Sequence, residues 1–297
     1  VSMARKFYYD GQAVIEGVMI RGRQAVVTAV RRPNGRLTTK VQPLAAIYTG
    51  RLRRTPFLRG VIVLLEAMVI GIRSLLYSAN VSLEEEEEEI SGKMVWLMIG
   101  TALVLSIVLF LVVPLFLTRL INPYISNSFV FHLIEGFIRL VIFIAYLKIM
   151  GTLPDLRRVF TYHGAEHKVV NAYEAGVPME IETVKKHNKA HRRCGTSFIF
   201  VVLIIAIMVF ALIGRPALWL MIVSRLVLIP VIASLGYEAI YFGANHRRNA
   251  LVRAIMAPGL WLQSMTAKEP DDSQIEVALA AMTKALEMDQ AEETTPT

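Results

Sequence analysis

Residues 163–167 combine two histidines and a carboxylate at a spacing that suits metal chemistry. His163 and His167 are four residues apart, and Glu166 directly precedes the second histidine. Side chains four residues apart on a helix share a face, so both imidazoles can point at one metal ion. The order His-x-x-Glu-His occurs in a class of zinc peptidases, where the carboxylate works beside the metal. The segment therefore predicts His163 and His167 as ligands and Glu166 as the residue that activates a bound water.

Further nitrogen, oxygen and sulfur donors follow in the same part of the chain. Four of the six histidines and the single cysteine lie between residues 163 and 194. Imidazole and thiolate together favour Zn²⁺ over a hard cation. We expect Glu174, His191 or Cys194 to complete the site, and a catalytic site to keep one coordination position open. The alternative is a polar cluster without metal, whose hydrogen bonds tie this loop to the membrane face.

Three side chains outside this loop are further candidates for the site. Glu16 is flanked by glycines at positions 11, 17 and 22, a pattern typical of a tight backbone that presents a carboxylate. Ordinary strand and turn chemistry is the alternative explanation for Glu16. Glu238 and His246 lie at the end of the last long apolar stretch, from which they can approach the histidine-rich loop.

The elements that position these residues are expected to be membrane helices. The chain has 297 residues, of which 55% are hydrophobic and 19% are charged, and its mean hydropathy is +0.50. A typical soluble domain carries about a quarter charged residues, so this excess of apolar residues needs lipid. Four stretches approach the roughly 20 residues that cross a bilayer. They are residues 94–117, 129–150, 197–213 and 217–235.

The charge distribution predicts the orientation of these helices. Residues 1–60 hold twelve basic and two acidic residues, and residues 151–196 hold eight basic residues. With four crossings, both regions and the C-terminal tail lie on one side, which the positive-inside rule assigns to the cytoplasm. Arg192 and Arg193, just before the third apolar stretch, then lie within reach of lipid phosphates. We expect a multi-pass protein of the cell's inner (plasma) membrane with both termini in the cytoplasm.

The predicted fold class is an α-helical polytopic membrane protein with about four transmembrane helices, one interfacial or re-entrant helix and a small β-rich N-terminal cytoplasmic unit. In that unit residues 13–20 are predicted to form one strand, and the Asn34-Gly35 pair to turn a hairpin between residues 25–30 and 36–41. The segments are the β-rich basic unit (1–56), the interfacial or re-entrant helix (57–77), an acidic loop (78–93), transmembrane helices 1 and 2 (94–150), the histidine-rich loop (151–196), transmembrane helices 3 and 4 (197–240) and a cytoplasmic C-terminal region (241–297).

Residues 57–77 are assigned to the interface because Gly60, Glu66 and Gly71 interrupt their apolar runs.

Two charges inside the long apolar stretches are predicted to pair. At about 1.5 Å per residue, Glu135 and Arg225 lie roughly 9 and 12 Å below the same membrane surface. A charge at such depth is costly unless it is paired, so we expect a structural clamp between spans two and four. A transport or proton pathway is the alternative role.

Four separated strings together resemble the YqhQ-like family, a family of bacterial integral membrane proteins of unknown function. They are GQAVIEGVMIRG at residues 11–22, YHGAEHK at 162–168, RCGTSF at 193–198 and PGLWLQ at 258–263. The resemblance extends from about residue 8 to about residue 285. It implies a membrane protein that is described as a predicted metal-dependent enzyme, and it draws attention to Glu16 within the first string.

Two functions of different classes follow from these observations. The first is a membrane-embedded metal-dependent hydrolase, for example a peptidase, with zinc at the cytoplasmic face. The second is a non-enzymatic platform whose basic N-terminal unit and loop dock anionic lipid head groups, the RNA of the ribosome or another membrane protein, with structural histidines. A transporter is a third interpretation, and it requires a homo-oligomer because four spans with few polar residues offer a poor pathway.

Overall fold

The N-terminal part of the chain forms a four-stranded antiparallel sheet in the computed structural model, which describes residues 7–50, 53, 55–83, 91–246 and 249–293. Its strands pair in chain order: β1 (Asp10–Val14), β2 (Gly17–Arg21), β3 (Ala25–Arg31) and β4 (Leu37–Pro43). The hairpin predicted between β3 and β4 is confirmed. Gly35 has a φ of +82° at its turn, a conformation that glycine adopts without steric cost.

The prediction of one strand over residues 13–20 is wrong, because the chain reverses at Ile15 and Glu16 between β1 and β2. Glu16 has a φ of +51°, which is uncommon for a residue with a side chain. Its carboxylate accepts hydrogen bonds from Arg158 and, at 3.2 Å, from the Tyr162 hydroxyl. These bonds hold the turn in place, and nothing in the alternation of residue types indicates them.

The sheet is covered by helices on both faces. On one face Val18, Ile20 and Val27 pack against α6 (Pro154–Ala175) and α12 (Asp272–Glu293), with the short α7 (Ile181–Val184) beside them. On the other face Val14, Met19 and Val26 pack against α2 (Leu58–Ser82), which follows the short α1 (Ala46–Thr49). The sheet, the histidine-rich loop and the C-terminal helix therefore share one hydrophobic core.

Most of the remaining chain is apolar helix. Helix α3 (Gly92–Ile107) continues through a π-helical turn (Val108–Val112) into α4 (Val113–Leu120), and a 3₁₀ turn (Asn122–Tyr124) precedes α5 (Ser128–Met150). After α6 and α7 come α8 (Gly195–Ile213), α9 (Leu218–Val227), α10 (Ile229–Asn245) and α11 (Ala250–Thr266). Among the described residues, four helices are long and apolar enough to cross a membrane: α2, α3 with α4, α5 and α8. Helices α9 and α10 form a fifth if the pair, bent by 47°, counts as one span.

Helix α2 differs in length from its prediction. It continues unbroken over 25 residues, so residues 78–82 belong to this helix and not to the predicted acidic loop. Gly71 lies against the side chain of Gln12, where a Cβ would meet Oε1 at 2.4 Å. Thr28 donates to Ser74 at 3.1 Å. Of the three residues that interrupt the apolar stretch, Glu66 and Gly71 contact the sheet, whereas Gly60 lies against Ser234 of α10. The acidic run at residues 84–89 lies outside the described residues.

Glu135 and Arg225 are in contact inside the bundle of apolar helices. Arg225 Nε donates to Glu135 Oε1 at 3.0 Å, and Arg139 donates to the same oxygen at 2.7 Å. His132 Nδ1 lies 3.2 Å from the other oxygen. Arg139 also donates to the carbonyl of Phe110 in the π-helical turn at 2.8 Å, so the charged group joins this turn, α5 and α9.

Candidate metal centre

Helix α6 presents the His-x-x-Glu-His sequence toward the interior of the sheet-containing unit. Pro154 stands in the first turn of this helix, and Gly176 ends it in the left-handed conformation with a φ of +72°. Glu166 and His167 are buried, whereas His163 is half-buried. The ring centroids of the two histidines are 4.3 Å apart, as their spacing of one helical turn predicts.

Cys194 completes a three-donor cluster with the two histidines. It is the N-cap residue of α8, and its Sγ accepts the backbone N–H of Thr196 at 3.4 Å. His163 Nε2 lies 3.3 Å from this sulfur. One nitrogen of each imidazole and the sulfur of Cys194 lie within 4.8 Å of one another. The N-terminus of a helix also favours negative charge on the sulfur.

Backbone carbonyls fix which nitrogen of each imidazole is free to bind a metal. His163 Nδ1 lies 2.9 Å from the carbonyl oxygen of Thr266, and His167 Nδ1 lies 2.6 Å from that of Lys189. A carbonyl only accepts, so each Nδ1 carries the proton and each Nε2 keeps its lone pair. Metal-bound histidines in proteins are oriented by this same kind of hydrogen bond. Burial lowers the pKa of His167, which favours its neutral, metal-binding form.

Glu166 lies beside the cluster in a space that Gly11 provides. Its Oε2 is 3.6 Å from His167 Nε2. A Cβ on Gly11 would come within 2.6 Å of Glu166 Cγ and 2.7 Å of its Oε1, so only glycine leaves this carboxylate its position. Burial raises the pKa of Glu166, opposed by the positive charge that His163 and His191 can carry. A carboxylate with a raised pKa is suited to exchanging protons near neutral pH.

The structure places two of the expected donors next to the cluster but not in it. Glu174 accepts a hydrogen bond from Arg193 and lies 3.7 Å from His191 Nε2. Although burial acts to raise it, hydrogen bonds from His191 and Arg193 hold the pKa of Glu174 at about 2. Of the three residues that could complete the site, only Cys194 belongs to the donor cluster. Arg193 also donates to Asp10 at 3.3 Å, so its guanidinium has two carboxylate partners.

Gln263 of α11 is a site residue that the sequence did not identify. Its side chain accepts the backbone N–H of His191 at 3.0 Å and donates to the carbonyl of His191 at 2.6 Å. It also donates to the hydroxyl of Ser197 at 2.7 Å. One buried amide thus joins the loop that carries Cys194 to the start of α8. In the sequence, Gln263 is noted only as part of the string PGLWLQ, and no role was assigned to that string.

Three predicted candidates lie away from the cluster. Glu16 forms the ion pair with Arg158 at the start of α6. Glu238 pairs with Arg59 and accepts the backbone N–H of Phe57. His246 is exposed, stacks on Phe242 and contacts the carbonyl of that residue. Each has a structural partner of its own, and none contributes a donor to the cluster.

The three donors suit a four-coordinate zinc ion. Zinc bound by two imidazoles and a thiolate holds neighbouring donor atoms about 3.4 to 3.7 Å apart. The contact between His163 Nε2 and Cys194 Sγ, at 3.3 Å, is already close to that spacing. The other donor atoms lie at most 4.8 Å apart, and rotation of their side chains can bring them to that spacing. Three protein ligands would leave a fourth position for water or substrate, as in catalytic zinc sites.

Comparison with known proteins identifies relatives without naming an activity. Residues 55–288 match the family described as "Protein of unknown function (DUF1385)". Over 299 residues the chain is 36% identical to the uncharacterized protein YqhQ of Bacillus subtilis (strain 168), covering 95% of this chain and 93% of that protein. No solved structure gives a significant match. The family region contains the three donors, Glu166 and Gln263, whereas Gly11 and Glu16 precede it.

Proposed function

Since this chain belongs to the DUF1385 family, whose function is unknown, we propose a function from its own side chains. The protein is a multi-pass membrane protein with a zinc centre at the cytoplasmic face that activates water for hydrolysis. The observation that carries this proposal is the orientation of His163 and His167, whose Nδ1 atoms are engaged by backbone carbonyls while Nε2 remains available beside Cys194.

The shared hydrophobic core supports an even number of crossings. The sheet packs against α6, so both lie in one aqueous compartment. Three apolar helices separate them along the chain: α2, α3 with α4, and α5. Only two of these can cross. Helix α2 lies along the sheet and turns exposed apolar side chains such as Leu65 and Met68 outward, as an interfacial helix does. We infer that the other two cross, although α2 is long enough to span.

We also infer an even number of crossings for the second half of the molecule. Helices α6 and α12 share a core, so the elements between them also cross an even number of times. We assign these crossings to α8 and to the bent pair of α9 and α10. Helix α11 then stays at the interface, where Gln263 reaches the metal centre. Both termini lie on the side of the basic regions, which the positive-inside rule assigns to the cytoplasm of a cell bounded by this membrane.

The donor set indicates what the centre does. His163, His167 and Cys194 would hold a zinc ion, and that ion would supply the Lewis acidity that makes water a nucleophile near neutral pH. Cys194 lies at the N-terminus of α8, whose positive end would stabilise a thiolate ligand. The carbonyls of Thr266 and Lys189 fix the orientation of the two imidazoles. Glu166 receives the proton that the attacking water loses and passes it to the leaving group. Because His163 is half-buried, a substrate is expected to approach from its side.

Metal content tests the centre directly. Protein purified without chelators is expected to contain about one zinc per chain by elemental analysis. His163→Ala and His167→Ala are each expected to lose most of it. His187→Ala is the matched control, because the ring of His187 contacts the nearby carbonyl of Thr183 and, among the described residues, does not belong to the donor cluster. Equal zinc in all four proteins would exclude the site.

Hydrolysis is tested separately with a library of short peptides and mass spectrometry of the products. The wild-type protein is expected to cleave a subset of the library, and Glu166→Gln is expected to keep its zinc while losing cleavage by about a hundredfold or more. Cleavage that persists in Glu166→Gln would remove this residue from its role. Zinc binding without cleavage in the wild-type protein would leave the centre intact and exclude peptides as its substrates.

A further inference from the structure

A small apolar cleft lies where α8, α10 and α11 meet. Its volume is about 130 Å³. The walls are formed by apolar side chains of α10 and α11, and the arginines at its edge come from the loop before α8 and from α11. The lining residues are Arg192, Ser197, Ile240, Val252, Arg253 and Met256, together with Gly243 and Leu260. The zinc ligands do not line this cleft, so it is a separate feature.

Among the residues that the structure describes, no carboxylate pairs with the two guanidinium groups at this cleft. Arg192 and Arg253 are both exposed, and in the described part of the chain neither forms an ion pair. The neighbouring Arg193 behaves differently, because Asp10 and Glu174 neutralise it. Two unpaired cations beside an apolar cavity are complementary to a molecule with an anionic head and a hydrocarbon tail. Guanidinium groups bind phosphate oxygens in paired hydrogen bonds.

The surroundings of the cleft indicate that it opens toward lipid. It lies at the N-terminal end of α8 and the C-terminal end of α10, the level at which an apolar helix leaves the hydrocarbon region. On α11, Leu251 and Trp261 are 68% and 55% exposed. Tryptophan at this depth is typical of membrane interfaces. With this placement the arginine edge would lie at the level of the lipid head groups and the apolar walls at the level of the acyl chains.

We propose that this cleft binds one anionic phospholipid. Its phosphate lies between Arg192 and Arg253, and the upper part of one acyl chain packs against Ile240, Val252 and Met256. The proposal rests on the membrane placement given above but not on the zinc centre. Juxtamembrane arginines each contribute to attraction of anionic lipid, and the cavity adds a place for the chain.

The test uses full-length protein in detergent with native mass spectrometry of bound lipid. Phosphatidylglycerol and phosphatidylcholine with the same acyl chains are added in equal amounts. The wild-type protein is expected to retain phosphatidylglycerol in preference, and Arg192→Gln with Arg253→Gln is expected to reduce this adduct about tenfold or more. The matched control is Arg157→Gln with Lys186→Gln, which removes two exposed charges elsewhere and is expected to leave the adduct unchanged.

A second variant distinguishes lipid binding in the cleft from attraction by the charge of the surface alone. Val252→Trp keeps both arginines but fills the cleft, and it is expected to lose the adduct as well. Equal retention of the two lipids by the wild-type protein, or an adduct that survives either the double or the filling variant, would overturn the proposal. Soluble glycerol phosphate added to the wild-type complex is expected not to displace the lipid. Displacement at equimolar concentration would contradict a role for the acyl chain. This measurement uses only the wild-type protein, so it does not depend on whether a variant folds.

Discussion

Gly11 and Glu166 are far apart in sequence and in direct contact in the fold. Gly11 belongs to β1, and its missing side chain leaves room for a carboxylate on α6. The sequence indicated that residues 11–22 mattered but directed attention to Glu16, which forms a structural ion pair. Periodicity and spacing locate residues on one element, so they predicted that His163, Glu166 and His167 lie together on one helix. They cannot identify a contact made across two elements, which is why Gly11 and Gln263 were missed.

Gly11→Ala is expected to push Glu166 from its position, because the new Cβ would overlap both the carboxylate and the carbonyl of Met19. We expect the free energy of unfolding to fall by about 1 to 3 kcal/mol. Zinc content should persist, since the three ligands are unchanged, whereas cleavage should fall as it does in Glu166→Gln. Thermal unfolding and elemental analysis measure the two effects. Gly100→Ala, where a Cβ meets nothing within 4 Å, is the control, and equal behaviour of the two variants would show that the contact is unimportant.

Glu174 gives the fold a defined response to acid. Its pKa in the folded protein is about 2, below the ordinary value of 4.5. A carboxyl group whose pKa is lowered by folding stabilises the folded state at every pH above its ordinary pKa. That stabilisation is lost as the pH falls from about 5 toward 2. Because Glu174 is only partly buried, we expect a contribution of about 1 kcal/mol.

Thermal unfolding midpoints between pH 7 and pH 3 test this contribution. Glu174→Gln should unfold at a lower temperature than the wild-type protein at pH 7, and the difference should shrink at pH 3. The exposed Glu180→Gln should match the wild-type protein throughout. A difference that stays constant with pH would show that the stabilisation does not come from ionised Glu174.

At the scale of elements, helices were predicted well where the pattern is local. The end of α6 at Gly176 and the apolar stretches of α5 and α8 appear within a few residues of their predicted positions. Helix α2 was predicted too short because Gly60, Glu66 and Gly71 looked like interruptions. In the fold Gly60 lies against Ser234, Gly71 against Gln12, and Glu66 accepts a hydrogen bond from Arg21. Each is a packing position, which becomes visible only with its partner.

Helix α11 contacts the loop before Cys194 through one side chain, Gln263. Gln263→Leu leaves the backbone groups of His191 without their partners, and an unpaired buried group costs about 1 to 3 kcal/mol. We expect a lower unfolding midpoint and a zinc affinity weaker by about tenfold or more, as for other residues that orient ligands. Titration with a competing chelator measures the affinity. Ser264→Ala is the control, because its hydroxyl bonds only within the helix, and unchanged affinity in Gln263→Leu would exclude the coupling.

At the scale of the whole molecule, the shared core connects topology to function. The packing of the sheet on α6 and α12 joins three regions that the charge count had placed on one side. Many of the counted cations are neutralised within the fold, among them Arg21 by Glu66 and Arg31 by Glu276. This leaves less free positive charge for docking the ribosome or another membrane protein than the sequence indicated. The further charge at Arg192 and Arg253 faces the lipid cleft.

Labelling of single cysteines in intact cells tests the topology. In a Cys194→Ser background, Asn34→Cys and Glu180→Cys are expected to be protected from a maleimide that does not cross membranes. Tyr124→Cys, at a position 88% exposed between α4 and α5, is expected to react. Reaction at residue 34 with protection at residue 180 would mean that α2 crosses the membrane, and the shared core would have to be abandoned.

The absorption spectrum of the cobalt(II)-substituted protein tests whether His163, His167 and Cys194 hold a metal ion. A four-coordinate cobalt ion with a thiolate ligand gives intense visible bands and a sulfur-to-cobalt charge-transfer band. The wild-type protein is predicted to show both, Cys194→Ser to lose the charge-transfer band, and His187→Ala to match the wild-type protein. Weak absorption typical of six-coordinate cobalt in the wild-type protein, or a charge-transfer band that persists in Cys194→Ser, would contradict the proposed centre.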